Sequence, residues 1–387
     1  MADQTSYIHF HRYSIGQEEK DAIISALDSG WITKGPRVAQ FESDFCAYTG
    51  ASHALALNSC TAALHLALLG FEIGPGDEVI TTPLTFVATA NMIVMAGATP
   101  ILADIDPHTL NLDLASIEAA ITPRTRAILP VHLAGQPCEL APMLELAKSH
   151  KLLVIDDAAH AIGASYQQQK IGAWCDASAF SFYATKNITT GEGGMLTSPH
   201  AEFIEKVRPL SLHGLSKDAW KRYSSEGFQH YLVEAPGYKY NMTDLQAALG
   251  IEQLKKCDRL TARRRQHVHR YREALQDLPL RFQTEIATAE SAYHLMSVVL
   301  DTERLTISRD QLLHALHQAG IGCGVHFIPL HFHPFYQRHL KLPAEALPQA
   351  SKIGQQLLSL PLYPDLSEGD IERVIETFSH LLRQHLR

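Results

Sequence analysis

The chain has 387 residues, of which 46% are hydrophobic and 19% are charged, a composition typical of a globular protein and not of a disordered one. Its net charge of −8, without a block of lysine and arginine residues, argues against a nucleic-acid or anionic-membrane partner. The N-terminus carries no secretory pattern and no apolar run reaches about 18 residues, so we expect a cytoplasmic protein without a membrane span.

Segments typical of strands and of helices alternate between residues 50 and 200. Strands are predicted over residues 53–57, 78–81, 100–104, 127–131, 152–155 and 179–183, and helices between them over residues 62–69, 88–95, 116–121 and 139–150. This alternation is the signature of βαβ units and predicts an α/β fold with a largely parallel sheet. Ligands bind at the carboxyl ends of the strands in such sheets, so we expect the site there.

The pattern changes in the C-terminal part of the chain. A long helix is predicted over residues 243–275. Beyond Pro279 the sequence predicts strands over residues 294–300 and 322–327 and helices over residues 309–319 and 368–383. We therefore predict a large domain, residues 1–255, followed by a smaller α/β domain, residues 256–387.

Lys186 follows an apolar, strand-like run and leads into a glycine-rich segment, residues 189–194. A desolvated amine in this position can act as a nucleophile toward a carbonyl, as Schiff-base chemistry requires. Upstream, another apolar run ends in Asp156, Asp157 and, three residues further on, His160. Pyridoxal phosphate (PLP) offers a carbonyl to a lysine and a ring nitrogen to an acidic partner. The two segments together therefore suggest a PLP site.

Asp157 ends a predicted buried strand, where a carboxylate without a partner is costly. A protonated pyridine nitrogen is one suitable partner, and a structural ion pair is the alternative. Asp156 has the same chemistry but points to the opposite face of a strand, so only one of the two should face the site.

Other polar and aromatic residues lie near these strand ends. Residues 58–61 precede a predicted helix, whose N-terminus could bind a phosphate, although Ser59 or Thr61 could equally be an ordinary helix cap. His160 could contact a cofactor ring or be a buried, hydrogen-bonded histidine, and Phe86 could cover a cofactor face or belong to the core. Ser181 could reach a phosphate or bond the backbone.

A metal site is the competing interpretation. It would give a metal-dependent hydrolase, with ligands drawn from Asp156, Asp157, His160, His326, His331 and His333. The spacing of these residues matches no zinc motif and prolines interrupt the histidine segment, so a loop that contacts a polar substrate is favoured there.

Several short motifs carry a resemblance to a known family. They are residues 29–36, 58–64, 74–80, 130–132, 156–163, 180–194 and 237–244. In this order they resemble the DegT/DnrJ/EryC1/StrS family of PLP-dependent sugar aminotransferases, and the resemblance covers nearly the whole chain.

The resemblance implies the type I aminotransferase fold and a homodimer with active sites at the subunit interface. It makes Lys186 the lysine that binds the cofactor and also the base that moves a proton on the substrate. It places Asp157 on the pyridine nitrogen, His160 near the ring hydroxyl and Phe86 against the ring.

The resemblance also implies a phosphate site that both subunits build. Its members would be Cys60, Thr61 and Ser181 of one subunit, with Asn241 supplied by the other. Many relatives have an Asn-x-Arg pattern where this chain has Lys239-Tyr240-Asn241. The form found here is most similar to enzymes that make UDP-4-amino-4-deoxy-L-arabinose.

The reaction follows from the same resemblance. Some relatives carry histidine at position 186 and are dehydratases, so Lys186 favours transamination. L-glutamate is the expected donor, and the expected acceptor is a nucleotide-linked, UDP-carried 4-keto sugar of surface-glycan or amino-sugar biosynthesis. C3 amination and dTDP or GDP carriers are alternatives. The candidate sugar or nucleotide contacts are Trp31, Thr33, His213 and His326.

Overall fold

The structure is a computed structural model that describes residues 7–215 and 232–387. A central sheet runs through the described part of the chain. Its strands lie in the order β1 (His53–Leu57), β9 (Gly194–Ser198), β8 (Ala177–Ser181), β5 (Leu153–Asp157), β4 (Thr125–Leu129), β2 (Glu78–Thr81) and β3 (Thr99–Leu102). The pairs from β8 to β3 are parallel, whereas β9 is antiparallel to both of its neighbours. The predicted α/β class is therefore confirmed.

Helices cover both faces of this sheet. They are α1 (Gln17–Asp28), α2 (Pro36–Thr49), α3 (Cys60–Gly70), α4 (Ala88–Met95), α5 (Leu114–Ala120), α6 (Leu140–His150), α7 (Ala201–Leu210) and α8 (Asp244–Leu275). Alternate residues of β1 face opposite layers, since Leu55 and Leu57 pack with α3 and α7 while Ala54 and Ala56 pack with α2. Burial on both faces explains why these strands are almost uninterrupted apolar runs.

A smaller antiparallel sheet forms nearer the C-terminus. It consists of β10 (Leu280–Phe282), β12 (Met296–Leu300) and β13 (Leu357–Leu360). Around it lie α9 (Arg309–Gln318), α10 (Pro334–Leu340), α11 (Pro348–Gln356) and α12 (Glu368–Gln384). A third, short sheet joins β6 (Ser165–Tyr166), β7 (Gln169–Lys170) and β11 (Ala289–Glu290). No helix in the described residues combines the length and the hydropathy that a membrane span needs.

Most predicted elements agree with the structure to within two residues at each end. The exception is the strand predicted over residues 322–327, which is wrong. Only isolated bridges occur there, from Ile321 to Ile8 and from Gly324 to Ser359. A side chain at Gly322 would lie 2.7 Å from the backbone nitrogen of Phe10, so the chain here runs against the N-terminal segment instead of adding to a sheet.

Helix α8 connects the two sheets. Its first residue, Asp244, is buried and accepts hydrogen bonds from the backbone N–H groups of Gly35 (2.8 Å), Arg37 (3.1 Å) and Val38 (3.1 Å) at the start of α2. About one turn beyond the middle of the helix, the buried Arg264 donates to the backbone oxygens of His294 and Leu362. The helix passes residue 255 without a break, and the division at that residue stays a prediction.

Replacing Asp244 with alanine should lower the free energy of unfolding by about 2–4 kcal/mol, because three N–H groups at the start of α2 lose their acceptor and Gly35 offers no side-chain cap. Urea unfolding measures the change. Asp21→Ala is the control, since the exposed Asp21 accepts from Gln17 on the same helix, and it should change stability by less than about 0.5 kcal/mol. Equal effects of the two substitutions would contradict the capping role.

Candidate active site

A cavity of about 540 Å³ opens where β5 and β8 end and α3 begins. This is the edge of the sheet at which the sequence predicts a site. The predicted residues that line the cavity are Cys60, Thr61, Phe86, Asp157, His160, Ser181, Lys186 and His326. The fold therefore brings together in one space residues that lie more than 200 positions apart in the chain.

Lys186 lies on the turn between β8 and β9, and its side chain is half-buried in the cavity. Backbone hydrogen bonds hold this turn, from Lys186 N to Tyr183 O (2.9 Å) and from Thr190 N to Phe182 O (2.9 Å). Burial lowers the pKa of Lys186 to about 8, and the nearby Cys60 and Asp157 oppose the shift. A neutral amine is consequently accessible near neutral pH, as a nucleophile toward a carbonyl requires.

Asp157 and Asp156 point to opposite sides of β5, as strand alternation predicts. Asp157 lines the cavity, and its Oδ2 accepts a hydrogen bond from Thr89 Oγ1 (2.8 Å) while its Oδ1 accepts from Ala159 N (3.1 Å). Burial raises the pKa of Asp157, whereas these two donors favour the ionised form. Asp156 is fully buried and bonds His132 at 2.8 Å. Only Asp157 can therefore serve a bound ligand.

The N-terminus of α3 forms another wall. Ser59 is an ordinary helix cap, since its Oγ accepts from Ala62 N at 3.1 Å, whereas Cys60 and Thr61 line the cavity. A side chain at Gly194 would lie 2.3 Å from the backbone carbon of Ser59, so glycine alone lets β9 approach this helix start. Burial raises the pKa of the Cys60 thiol well above its usual range, which keeps it protonated. The wall therefore offers uncharged donors to an anion.

Imidazole rings form a further wall of the cavity. His160 accepts a hydrogen bond at Nδ1 from Ala134 N (3.3 Å), and its ring centre lies 4.3 Å from that of His294. His326 shares a hydrogen bond with Ser359 through Nδ1 (3.1 Å) and stacks on Phe10. Burial lowers the pKa of each of these three histidines, that of His326 to about 4. This wall is therefore polar but uncharged.

Sequence reasoning missed two participants. Thr89 holds Asp157 from within α4, where a threonine in an apolar helix gives no sign of a role. His294 lines the cavity just before β12, where the sequence shows only the start of an apolar run. Neither residue belongs to a motif that carries the family resemblance.

Four predicted residues do not line the cavity of their own chain: Trp31, Thr33, His213 and Asn241. Trp31 is 41% exposed, and Thr33 and His213 are exposed as well. Asn241 is buried, and its side-chain oxygen accepts from Lys239 Nζ at 2.6 Å. A site that these residues complete from a second subunit stays a prediction.

Three residues of the metal-site hypothesis, Asp157, His160 and His326, line the cavity, but their side chains are not arranged as a metal site. Within residues 7–215 and 232–387, no group of three or more His, Cys, Asp or Glu side chains is arranged to hold a metal ion. Asp156 bonds His132 on the far face of β5, and His331 bonds Ser351 at 2.8 Å. Asp156 and His331 are therefore engaged away from the cavity that Asp157, His160 and His326 line.

Comparisons with known proteins show the family to which this chain belongs. The model of the DegT/DnrJ/EryC1/StrS aminotransferase family matches residues 13–379. The spore coat polysaccharide biosynthesis protein SpsC of Bacillus subtilis is 50% identical over 380 residues, which is 97% of this chain and 98% of SpsC.

Solved structures share the whole fold. The PLP form of the putative sugar aminotransferase Spr1654 from Streptococcus pneumoniae superposes with a TM-score of 0.92 at 32% identity, covering 98% of this chain and 100% of that one. Helicobacter pylori PseC, an aminotransferase involved in the biosynthesis of pseudoaminic acid, gives a TM-score of 0.92 at 31% identity, with coverage of 98% and 100%. The predicted aminotransferase fold is confirmed.

The reactivity of Lys186 toward amine reagents should rise with pH and level off above about pH 9, since its neutral fraction grows from about one tenth at pH 7 to about nine tenths at pH 9. Competitive acetylation of the ligand-free protein, quantified peptide by peptide with mass spectrometry, measures this curve. Lys20, an exposed lysine of α1, is the internal reference. A Lys186 curve that coincides with the Lys20 curve would show that burial does not lower this pKa.

Proposed function

Because the chain belongs to the DegT/DnrJ/EryC1/StrS aminotransferase family, we propose that it moves the amino group of L-glutamate to the C4 keto carbon of a UDP-linked sugar. The chain is a PLP-dependent transaminase. The observation that carries the proposal is the amine of Lys186 and the carboxylate of Asp157 in one cavity beside a helix N-terminus.

Names of relatives support a sugar as the acceptor. SpsC is named for polysaccharide biosynthesis, PseC for pseudoaminic acid, and Spr1654 as a putative sugar aminotransferase. The C4 position and the UDP carrier rest on the resemblance of residues 237–244 to enzymes that make UDP-4-amino-4-deoxy-L-arabinose. C3 amination and dTDP or GDP carriers are the alternatives within the same family.

The cavity fits PLP because it offers a partner for each reactive part of the cofactor. Lys186 would bind the aldehyde, Asp157 would bind the pyridine nitrogen, and the N-terminus of α3 would receive the phosphate. Phe86, which is 57% exposed at the cavity wall, would cover a face of the ring. When bound, PLP supplies an electron sink that stabilises negative charge on the substrate carbon.

Side chains of the protein would have separate roles in the reaction. Lys186 Nζ would act as a general base with a lowered pKa. It would move a proton between the substrate carbon that bears the amino group and C4′ of the cofactor. Thr89 and Ala159 hold the Asp157 carboxylate in place, which favours its ionised form against the cost of burial. His160 would lie beside the cofactor's ring hydroxyl, as the family resemblance implies.

Phosphate binding would be shared between subunits of a homodimer. Cys60, Thr61 and Ser181 line the cavity from one chain. Asn241 would reach the same phosphate from the second subunit, held at its side-chain oxygen by Lys239. Trp31, Thr33 and His213 of the second subunit would join His326 around the sugar nucleotide.

Glutamate alone should bleach the visible absorption of the PLP-loaded enzyme, and the correct nucleotide-linked keto sugar should restore it, because both substrates use one lysine in turn. A panel of UDP-, dTDP- and GDP-linked keto sugars, followed by absorbance, identifies the acceptor. Lys186→Ala is the control and should lose turnover and the covalent attachment of cofactor by borohydride. If a simple keto acid restores the visible absorption and no sugar in the panel does, the enzyme is an ordinary amino-acid aminotransferase.

Mixing Lys186→Ala and Asn241→Ala subunits should restore activity that neither variant has alone. Each mixed dimer then keeps one complete site, so random pairing in equal amounts regains roughly a quarter of the wild-type sites. Activity is measured after unfolding and refolding the two variants together, with separately refolded variants as the control. No restoration would mean that Lys186 and Asn241 act within the same chain or that Asn241 has no part in the site.

A further inference from the structure

His294 lines the cavity but has no part in the chemistry described so far. Its side chain is 5% exposed, and its ring lies against that of His160 at 4.3 Å between centres. The hydrogen bonds that each ring makes away from the cavity determine which nitrogen carries the proton.

Asn187, the residue after Lys186, fixes the tautomer of His294. Asn187 Nδ2 donates to Ala292 O at 2.7 Å, which identifies Asn187 Oδ1 as an acceptor. His294 Nδ1 lies 3.1 Å from that oxygen and must therefore donate to it. Burial, together with the nearby His160 and Lys186, lowers the pKa of His294 well below its usual range. The ring is thus neutral, and its Nε2 carries a lone pair.

His160 has the opposite tautomer. Its Nδ1 accepts from the backbone N–H of Ala134, so the lone pair lies at Nδ1 and the proton of the neutral ring lies at Nε2. Neither Nε2 atom has a hydrogen-bond partner among the described residues, and both side chains line the cavity. The two adjacent rings therefore leave a donor and an acceptor for a ligand.

We propose that His294 is a ligand-binding residue whose Nε2 accepts a hydrogen bond from a hydroxyl group of the bound ligand, beside the Nε2–H donor of His160. A hydroxyl group both donates and accepts, whereas a carboxylate can use only the donor and an ammonium group only the acceptor. This inference deepens the proposed function and rests on it. The hydroxyl belongs either to the cofactor ring or to the sugar.

Two substitutions separate the ligand contact from the contact with Asn187. In His294→Asn the side-chain nitrogen can occupy the position of Nδ1 and still donate to Asn187, but nothing replaces Nε2 in the cavity. In His294→Gln the amide can reach the position of Nε2, but the donor to Asn187 is lost. We would measure the Kd of each ligand-free variant for PLP and for 3-deoxy-PLP by absorbance, and the KM for the keto sugar and for glutamate.

We expect His294→Asn to weaken ligand binding about tenfold, as the loss of one hydrogen bond implies, and His294→Gln to stay within about threefold of wild type. A weaker Kd for PLP with an unchanged Kd for 3-deoxy-PLP assigns the cofactor hydroxyl. A raised KM for the sugar with unchanged PLP binding and unchanged KM for glutamate assigns a sugar hydroxyl. Both results support the proposal.

The proposal is overturned if His294→Asn matches the wild type in every measurement. It is also overturned if His294→Gln is the more impaired variant in every measurement. In either case His294 would serve only to hold Asn187. Failure of the proposed function is distinct. It appears in the wild-type protein, as absent PLP binding or as no turnover of any nucleotide-linked keto sugar.

Discussion

A carboxylate at the buried end of a strand needs hydrogen-bond donors, and the site is arranged around this need. Asp157 ends β5 at the edge where neighbouring parallel strands also end, so groups from several elements converge on it. Thr89 and Ala159 supply donors from within the chain. The burial that raises the pKa of Asp157 also lowers that of Lys186. One desolvated space therefore holds a carboxylate and an amine that serve different tasks.

Strand and helix positions followed from the sequence because burial on both sheet faces leaves apolar runs with clear ends. The bounds of β1, β2 and α4 agree with the prediction. Strand β9 was not predicted, since it starts at Gly194 beside other glycines, where the local pattern indicates a turn. The run over residues 322–327 has strand-like composition, but its contacts with the N-terminal segment leave it outside a sheet.

The two halves of the site differed in how far sequence could predict them. The roles of Asp157 and Lys186 could be predicted from the sequence, because strand alternation and a glycine-rich turn place both residues at one edge of the sheet. Thr89 and His294 act through distant partners, and a contact between separate segments leaves no local pattern in either one. The histidine wall is uncharged, so recognition there depends on directed hydrogen bonds, which suit a ligand rich in hydroxyl groups.

Helix α8 also limits how this chain can vary in length. Asp244 and Arg264 are 20 residues apart on one unbroken helix, a separation of about 30 Å. Asp244 holds the start of α2, whereas Arg264 holds the segments that precede β12 and follow β13. Each inserted or deleted residue would turn the later part of the helix by about 100° relative to the earlier part. Arg264 would then face away from the carbonyl groups it binds, and the wall that contains His294 would lose its support. Insertions and deletions should therefore accumulate in the connecting segments, while the number of residues between Asp244 and Arg264 stays the same.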